Sequence, residues 1–388
     1  MAFFIGETPV KKQKICSLAV VAVLMLAGSL SFTGTVWAMQ EIKDRAGRSM
    51  VLPSRVTRII CSGPGSLRLA SYLGAQDLVV AVDDIEHRKR RFDARPYALA
   101  NPGYRSLPVF GGFRGQDDPE KILGLDPLPQ VIFKTYASSG HDPVALERKT
   151  GIPVVVLEYG DLGRGRENLF SSLMLMGQIL DKNDRAKAVV DFFKSEIAVL
   201  SSRTKDITTP KRCFIGGIAF KGPHGFNSTE PLYPPLEFVN GLNIAGIDLP
   251  LGKQVRQTMF SKEKILAMDP EVVFLDLSTM QMGKGQGGLF ELQTDPVYQA
   301  LTAVRNKSVY GLLPYNWYTS NFGSVLADAW YIGKVLYPER FEDIVPEKEA
   351  DRIYRFLLSA EVFNEMNKKL QNKAFTRVLS DTLSNAGQ

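Results

Sequence analysis

The sequence contains few of the residues that build covalent or metal-bound frameworks, with three cysteines and three histidines among 388 residues. A fold stabilised by several disulfide bonds is therefore excluded, and no spacing of Cys and His residues matches a zinc site. Cys61 and Cys213 each lie within or beside an apolar run, so we expect two buried free thiols. A single disulfide between them is the alternative.

Motifs typical of enzymes are also absent. The chain has no Gly-x-Ser-x-Gly elbow, no His-Glu-x-x-His motif and no convincing pair of carboxylates. The glycine-rich run 283–288 lacks the spacing of a phosphate loop. In the turn 62–65, Pro64 removes an amide donor at the place where a dinucleotide phosphate would bind. We therefore expect no catalysis and no cofactor.

Long apolar runs are missing except near the N-terminus. Lys11, Lys12 and Lys14 precede an apolar run over residues 15–30. Val36 and Ala38 then supply small side chains at the positions that a signal peptidase recognises. This pattern is typical of a secretory signal peptide, with cleavage expected after Ala38. The run of about 16 residues is short for a membrane-spanning helix, which needs about 20, although an uncleaved anchor is the alternative. We expect a soluble periplasmic protein.

The remaining chain is too long for one core and only mildly charged. Removal of residues 1–38 takes away three Lys and one Glu, so the net charge falls from +6 to +4. This charge suits a small anionic ligand but is too low to indicate nucleic-acid binding. A mature chain of about 350 residues exceeds the usual size of one hydrophobic core, so we expect two lobes.

Short β-branched runs alternate with helical segments in both halves of the chain, which predicts parallel sheets covered by helices. The expected strands are residues 58–61, 78–82, 130–133, 154–157, 213–219, 272–277 and 309–312. We therefore predict an N-terminal α/β lobe over residues 39–165, a C-terminal α/β lobe over 204–375 and a polar tail over 376–388.

Residues 166–203 differ from both halves, because apolar residues recur there every three or four positions without a proline. This predicts one long helix that joins the lobes, about 50 Å in length at 1.5 Å per residue. The polar run 181–184 could kink or divide it. The expected fold class is two doubly wound α/β lobes joined by a single long helix.

An internal repeat supports two related lobes. Residues 120–127 read Glu-Lys-Ile-Leu-Gly-Leu-Asp-Pro, and residues 263–270 read Glu-Lys-Ile-Leu-Ala-Met-Asp-Pro. Each block is followed by an apolar run, so each predicts a short helix, a proline stop and a buried strand. The same helix-to-strand unit is therefore expected once in each lobe.

Seven segments, in this order, resemble the periplasmic binding proteins for iron complexes and cobalamin: residues 42–48, 51–53, 56–61, 73–77, 79–82, 235–243 and 303–310. The resemblance covers nearly the whole mature chain. It implies a monomeric solute-binding protein that delivers its ligand to an ABC-transporter permease in the inner membrane. It also implies that Glu120 and Glu263, one on each lobe, dock against arginines of the permease. The alternative role for both carboxylates is to stabilise helix N-termini.

Ligands of open α/β sheets bind beyond the carboxyl ends of the strands, which selects the loops that follow them. The candidate ligand-binding residues in these loops are Arg114, Tyr136, Tyr159, His224, Trp317 and Tyr318. Aromatic walls with a few cations suit a bulky, partly anionic metal chelate of the iron–siderophore, haem or corrinoid type. Each of these residues has a structural alternative as a core or solvated loop residue.

Two further features bear on the ligand. The basic cluster at residues 87–91 could attract an anion to the cleft, although a solvated surface loop is the alternative. His141 and His224 could contact a metal, but the scattered histidines argue against a bare metal site. A free metal ion or an oxyanion is for this reason ranked second among the ligands, after the chelate. A periplasmic enzyme on a two-lobed scaffold is the third hypothesis for the function.

Overall fold

The computed structural model describes residues 39–88, 92–247, 255 and 257–379. The expected signal peptide (1–38), part of the basic cluster (89–91) and the end of the polar tail (380–388) lie outside these ranges. Among the described residues, no helix combines the length and the apolar character that a membrane crossing requires.

The described residues of the N-terminal half contain eight strands: β1 (Met39–Lys43), β2 (Ser49–Pro53), β3 (Ile59–Ser62), β4 (Val79–Asp83), β5 (Val109–Gly112), β6 (Gln116–Asp117), β7 (Val131–Thr135) and β8 (Val154–Leu157). Strands β1 and β2 form an antiparallel hairpin. The others form one sheet in the order β6-β5-β4-β3-β7-β8, which is parallel except for β6. Residues of β3, β7 and β8 are buried throughout, as expected for strands covered on both faces.

Within the part of the C-terminal half that the structure describes, six strands follow: β9 (Arg212–Gly216), β10 (Ser228–Thr229), β11 (Leu242–Asn243), β12 (Thr258–Met259), β13 (Val272–Asp276) and β14 (Val309–Leu312). Four of them form a parallel sheet in the order β11-β9-β13-β14, while β10 and β12 form a short antiparallel pair. The two predicted α/β lobes are thus present, each built on a mostly parallel sheet.

The helices connect the strands and cover the sheets. Those of the N-terminal lobe are α1 (Ser66–Tyr72), α2 (Pro96–Ala100), α3 (Pro119–Leu123) and α4 (Pro143–Thr150). Two longer ones follow, α5 (Arg166–Ile179) and α6 (Asn183–Thr204). The C-terminal lobe has α7 (Pro234–Glu237), α8 (Lys262–Met268), α9 (Gly288–Thr294), α10 (Pro296–Gln299), α11 (Thr302–Arg305), α12 (Phe322–Leu336), α13 (Pro346–Leu358) and α14 (Phe363–Lys369).

The segment predicted as one helix over residues 166–203 is divided into α5 and α6. Asp181 has a φ of 54°, and the amide of Lys182 donates to the Gly177 carbonyl at 2.7 Å, which ends α5 in a Schellman-type turn. The two helices pack antiparallel, with the rings of Phe170 and Phe193 6.5 Å apart. The single helix of about 50 Å is therefore corrected to a hairpin of two helices.

Helix α6 contacts both lobes. Near its start, Arg185 donates to the Tyr72 carbonyl of the N-terminal lobe at 2.9 Å. Near its end, the Ser201 hydroxyl donates to the Phe238 carbonyl of the C-terminal lobe at 3.2 Å. With 22 residues, α6 is about 33 Å long, so one stiff helix contacts both halves.

The internal repeat forms the same unit in both lobes. Helix α3 begins at the N-cap Asp118 and α8 at the N-cap Ser261, and each side chain accepts an amide hydrogen bond from the helix. Ile122 and Ile265 are fully buried beneath their helices. Each helix leads into a buried parallel strand, β7 or β13, so the prediction from the repeat is confirmed.

Both cysteines of the described chain are buried and free, as the sequence predicts. Cys61 lies in β3 of one sheet and Cys213 in β9 of the other. Burial raises the pKa of each thiol to about 12. Neither thiol is activated as a nucleophile, because reactive cysteines have lowered pKa values.

Candidate functional site

A cleft of about 830 Å³ lies between the two lobes, where loops from both sheets meet. The N-terminal lobe contributes residues that follow β3, β4, β5, β7 and β8, and the C-terminal lobe contributes residues that follow β9 and β14. This placement agrees with the rule that ligands bind beyond the carboxyl ends of parallel strands. The volume lies within the range of sites for drug-sized ligands.

Four of the six predicted ligand residues line this cleft: Arg114, Tyr136, Trp317 and Tyr318. Arg114 and Tyr136 come from loops of the N-terminal lobe, while Trp317 and Tyr318 come from the loop after β14 in the C-terminal lobe. The sequence thus identified contributors to both walls.

Arg114 follows β5 and is exposed in the cleft, with a φ of 63°. Its guanidinium lies 5.0 Å from the ring centroid of Phe113, which also lines the cleft. Its backbone amide donates to the hydroxyl of Tyr318 at 3.0 Å, so the two walls touch here. The charged end of Arg114 is therefore available to a bound anion.

Tyr136 and Tyr318 are held by polar contacts between the lobes. The hydroxyl of Tyr136 lies 2.6 Å from the hydroxyl of Thr319, and Tyr318 donates a hydrogen bond to Asp83 at the end of β4. Burial raises the pKa of Asp83 to about 7. The hydroxyl groups of both side chains are therefore held in place, and both residues line the cleft.

Tyr159 and His224 were predicted to bind ligand, but neither lies in the lining of the cleft. Tyr159 is buried behind the wall, where its ring stacks on Phe322 at 4.9 Å. An imidazole nitrogen of His224 lies 2.8 Å from the Phe220 carbonyl. Periodicity and loop position could not separate a side chain in the wall from one behind it.

The other two histidines lie away from the cleft lining as well. His87 contacts the Leu107 carbonyl at 2.8 Å, and His141 lies in a separate recess beside α3. In the described ranges, no cluster of three or more His, Cys, Asp or Glu side chains is placed to hold a metal ion.

The cleft also contains charged residues that the sequence reasoning did not single out. Besides Arg114, the cations are Arg164 and Lys221, and the carboxylates are Asp161, Glu230 and Glu237. Asp161 accepts a hydrogen bond from the Gly165 amide at 2.8 Å, so it stabilises its own loop. Burial raises the pKa of Glu237. The one sequence feature that could have identified Arg164 and Lys221 as candidate ligand-binding residues is their position in loops that follow predicted strands.

Lys221 resembles Arg114 in its setting. Its backbone has a φ of 56°, and its ammonium lies 5.5 Å from the ring centroid of Phe220. Each lobe thus offers a cation next to an aromatic ring at the cleft. Such a pair can contact both the charge and the apolar surface of one ligand.

Glu120 and Glu263 lie apart from the cleft lining, each exposed in the first turn of its helix, α3 or α8. The pKa of Glu263 is lowered by a backbone amide at the helix N-terminus and by the hydroxyl of Ser261. Each helix also exposes a leucine three residues further on, with Leu123 49% and Leu266 37% exposed. The two lobes therefore present the same pair of an acid and an apolar side chain.

Comparison with known proteins finds similarity to one family and to several binding proteins. A family described as periplasmic binding protein matches residues 59–315. The molybdate-binding protein MolA of Haemophilus influenzae is 23% identical over 367 residues, which cover 88% of this chain and 96% of MolA. The structure of MolA bound to molybdate covers 83% of this chain and 98% of its own, with a TM-score of 0.64 and 17% identity. The iron-uptake system-binding protein of Bacillus subtilis is 20% identical over 50% of this chain and 54% of its own length.

Proposed function

Since the chain belongs to the periplasmic binding protein family, we propose that it is the solute-binding component of an ABC importer and captures a bulky metal chelate that is partly anionic. The chelate would be of the iron–siderophore, haem or corrinoid class. The observation that supports this ligand class is the cleft of about 830 Å³, with a cation beside an aromatic ring on each lobe. The rings supply rigid apolar contact area, and the cations pair with the carboxylate or catecholate oxygens of a chelate.

The second candidate ligand is an oxyanion. Its support is the similarity to MolA, whose structure contains molybdate, together with the three cations of the cleft. The size of the cleft favours the chelate, because one tetrahedral anion contacts only a small part of such a volume. The aromatic side chains also have no evident partner on a small, strongly hydrated anion.

A ligand panel distinguishes these candidates. Purified protein from residue 39 onward is titrated with haemin, ferrichrome, ferric enterobactin, cyanocobalamin and sodium molybdate, with tryptophan fluorescence and thermal unfolding as readouts. We expect one of the four complexes to quench the emission of Trp317, which lines the cleft, and to raise the melting temperature. At a ligand concentration of 100 Kd, the stabilisation should be about 2.7 kcal/mol.

Two variants assign the fluorescence signal. Trp330 is buried and donates to Glu196 at 2.8 Å, away from the cleft lining. Trp330→Phe should therefore keep the quenching, and Trp317→Phe should remove it. Binding of molybdate with no response to any of the four complexes would support the oxyanion instead, and a flat response to the whole panel would refute both ligands.

Arg114 offers a direct test of the cationic contact. Arg114→Gln is expected to weaken ligand binding by about 10- to 100-fold, because a hydrogen bond to a charged group contributes about 1.5–3 kcal/mol. Stability should not change, since the side chain is exposed. Isothermal titration measures the affinity. Arg105→Gln is the matched control, because Arg105 lies outside the lining and 3.7 Å from Asp93. Equal affinity losses in both variants would contradict a role of Arg114.

We further propose that the exposed corners of α3 and α8 dock on the permease. Glu120 and Glu263 would pair with arginines of the permease, and Leu123 and Leu266 would contact apolar side chains beside them. Support comes from the internal repeat, which places the same acid and the same exposed leucine on each lobe. Charge pairs set the orientation of the complex, while the leucines add buried apolar area.

A further inference from the structure

The loop after β14 belongs to the C-terminal lobe, yet its backbone is bound by an arginine of the N-terminal lobe. Arg68 lies on α1 and is fully buried. One of its terminal nitrogens donates to the Ser320 carbonyl at 2.7 Å and to the hydroxyl of Tyr159. The other donates to the carbonyls of Trp317 and Tyr318, each at 3.2 Å. One guanidinium thus binds three backbone carbonyls, at residues 317, 318 and 320, of the loop that carries two cleft-lining rings.

Other groups of the N-terminal lobe bind the same loop. The hydroxyl of Tyr159 donates to the Ser320 carbonyl at 2.7 Å. The hydroxyls of Tyr136 and Thr319 lie 2.6 Å apart. These contacts surround the carbonyls that Arg68 binds, so the loop is held from one lobe at consecutive residues.

The loop needs such support because part of its backbone is strained. Tyr318 and Thr319 have φ values of 51° and 65°. This left-handed conformation is unusual for any residue other than glycine and is costly for a β-branched one such as Thr319. Residues in such conformations persist where the surrounding contacts fix them. Loss of those contacts would allow the loop to relax and Trp317 to move.

We propose that Arg68 is a positioning residue for ligand binding. It fixes the backbone of residues 317–320 against the N-terminal lobe, and it thereby sets both the orientation of Trp317 and Tyr318 and the separation of the cleft walls. Arg68 does not line the cleft, so it acts through the loop rather than by contact with the ligand. The inference rests on the proposed function, because it takes the cleft as the ligand site.

The first experiment needs no ligand. In protein that starts at residue 39 and carries Trp330→Phe, Trp317 is the remaining tryptophan. We expect Arg68→Met to shift its emission to longer wavelength and to speed amide hydrogen exchange at residues 317–320 by at least 10-fold. The physical reason is that Trp317 is 6% exposed only while its loop is held. Fluorescence and exchange mass spectrometry measure the two effects.

Matched variants separate positioning from a general loss of stability. Arg95 is also buried in the N-terminal lobe, but it binds Glu86, Asp93 and their neighbours rather than the loop. Arg95→Met should lower the melting temperature without selective exchange at 317–320. Arg68→Lys keeps the charge and should restore part of the protection. Tyr159→Phe, which removes one hydroxyl, should give a smaller change of the same kind and serves if Arg68→Met does not fold.

The second experiment uses the member of the panel that wild-type protein binds. Arg68→Met should weaken its affinity by at least 10-fold, mainly through faster dissociation, and Arg68→Lys should recover part of the loss. If tryptophan emission and amide exchange are unchanged in folded Arg68→Met or Tyr159→Phe protein, the claim that Arg68 fixes the backbone of residues 317–320 is refuted. Unchanged affinity despite a released loop would overturn its role in binding. A wild-type protein that binds no member of the panel refutes the proposed ligands, while the ligand-free readouts still decide whether Arg68 positions the loop.

Discussion

Replacement of both Glu120 and Glu263 by arginine is expected to abolish uptake while the affinity for the ligand stays within about twofold of wild type. Both carboxylates are exposed and lie away from the cleft lining, so the ligand site does not depend on them. If arginines of the permease face them, the substitutions turn two attractions into repulsions. Like charges at an interface cost several kcal/mol, which corresponds to a loss of docking of at least about 100-fold.

Uptake of a labelled ligand by cells that express only the variant measures this effect, and titration of the purified variant measures affinity. Glu167→Arg with Glu339→Arg is the matched control, since both residues are exposed acids at the start of a helix, α5 for Glu167 and the 3-10 helix Pro338–Phe341 for Glu339, and the change in charge is the same. We expect wild-type uptake from the control. Normal uptake by the Glu120 and Glu263 double variant, or an equal loss of ligand affinity, would refute the docking proposal.

The free energy of unfolding is expected to fall as the pH rises from 5 to 8. Burial raises the pKa of Asp83 and of Asp276 to about 7, and burial together with the charge of Asp276 raises the pKa of Asp328 above its usual range. The folded protein therefore binds protons that the unfolded chain has already lost near pH 5. This stabilisation is complete below the unfolded pKa of about 4 and is lost as the pH passes through 7. Between pH 5 and 8, Asp83 and Asp276 should each contribute about 3 kcal/mol.

Urea unfolding at constant ionic strength across this pH range measures the effect. Asp83→Asn and Asp276→Asn should each flatten the profile, because an amide cannot lose a proton. Asp206→Asn should leave the slope between pH 5 and 8 unchanged, because the hydrogen bond from Arg340 lowers the pKa of this exposed carboxyl. Carboxylates whose pKa is lowered by ion pairs, such as Asp206 and Asp343, affect stability only below about pH 4 and do not interfere. A protein that becomes more stable toward pH 8 would contradict the assignment.

The sequence predicted the two sheets well because their signal is local. Runs such as Ile59–Ser62 and Val154–Leu157 are short, β-branched and bounded by turns, and they are buried strands in the structure. The repeat at Glu120 and Glu263 likewise predicted two equivalent helix-to-strand units. The division of the connecting segment was harder to predict, since it depends on a left-handed residue, Asp181, within an otherwise continuous apolar period.

The site was predicted only in part, because side-chain direction depends on long-range packing. Arg114 and Trp317 follow strands and line the cleft, yet Tyr159 occupies a similar position and lies behind the wall. Arg68 gave no sequence signal, as a lone arginine in an apolar helix normally reaches solvent along its own stem. The loop carbonyls that it binds lie about 250 positions further along the chain, and a periodic sequence pattern cannot predict contacts over such a distance.

The bonds between Arg68 and the loop at Ser320 have a consequence for transport. In a binding protein whose two lobes are hydrogen-bonded to each other beside the ligand site, the lobes have little freedom to close around the ligand. Loaded and empty forms would then show the permease nearly the same outline. The transporter would have to recognise loading from the bound ligand itself, at the open mouth of the cleft, rather than from a change in the shape of the binding protein.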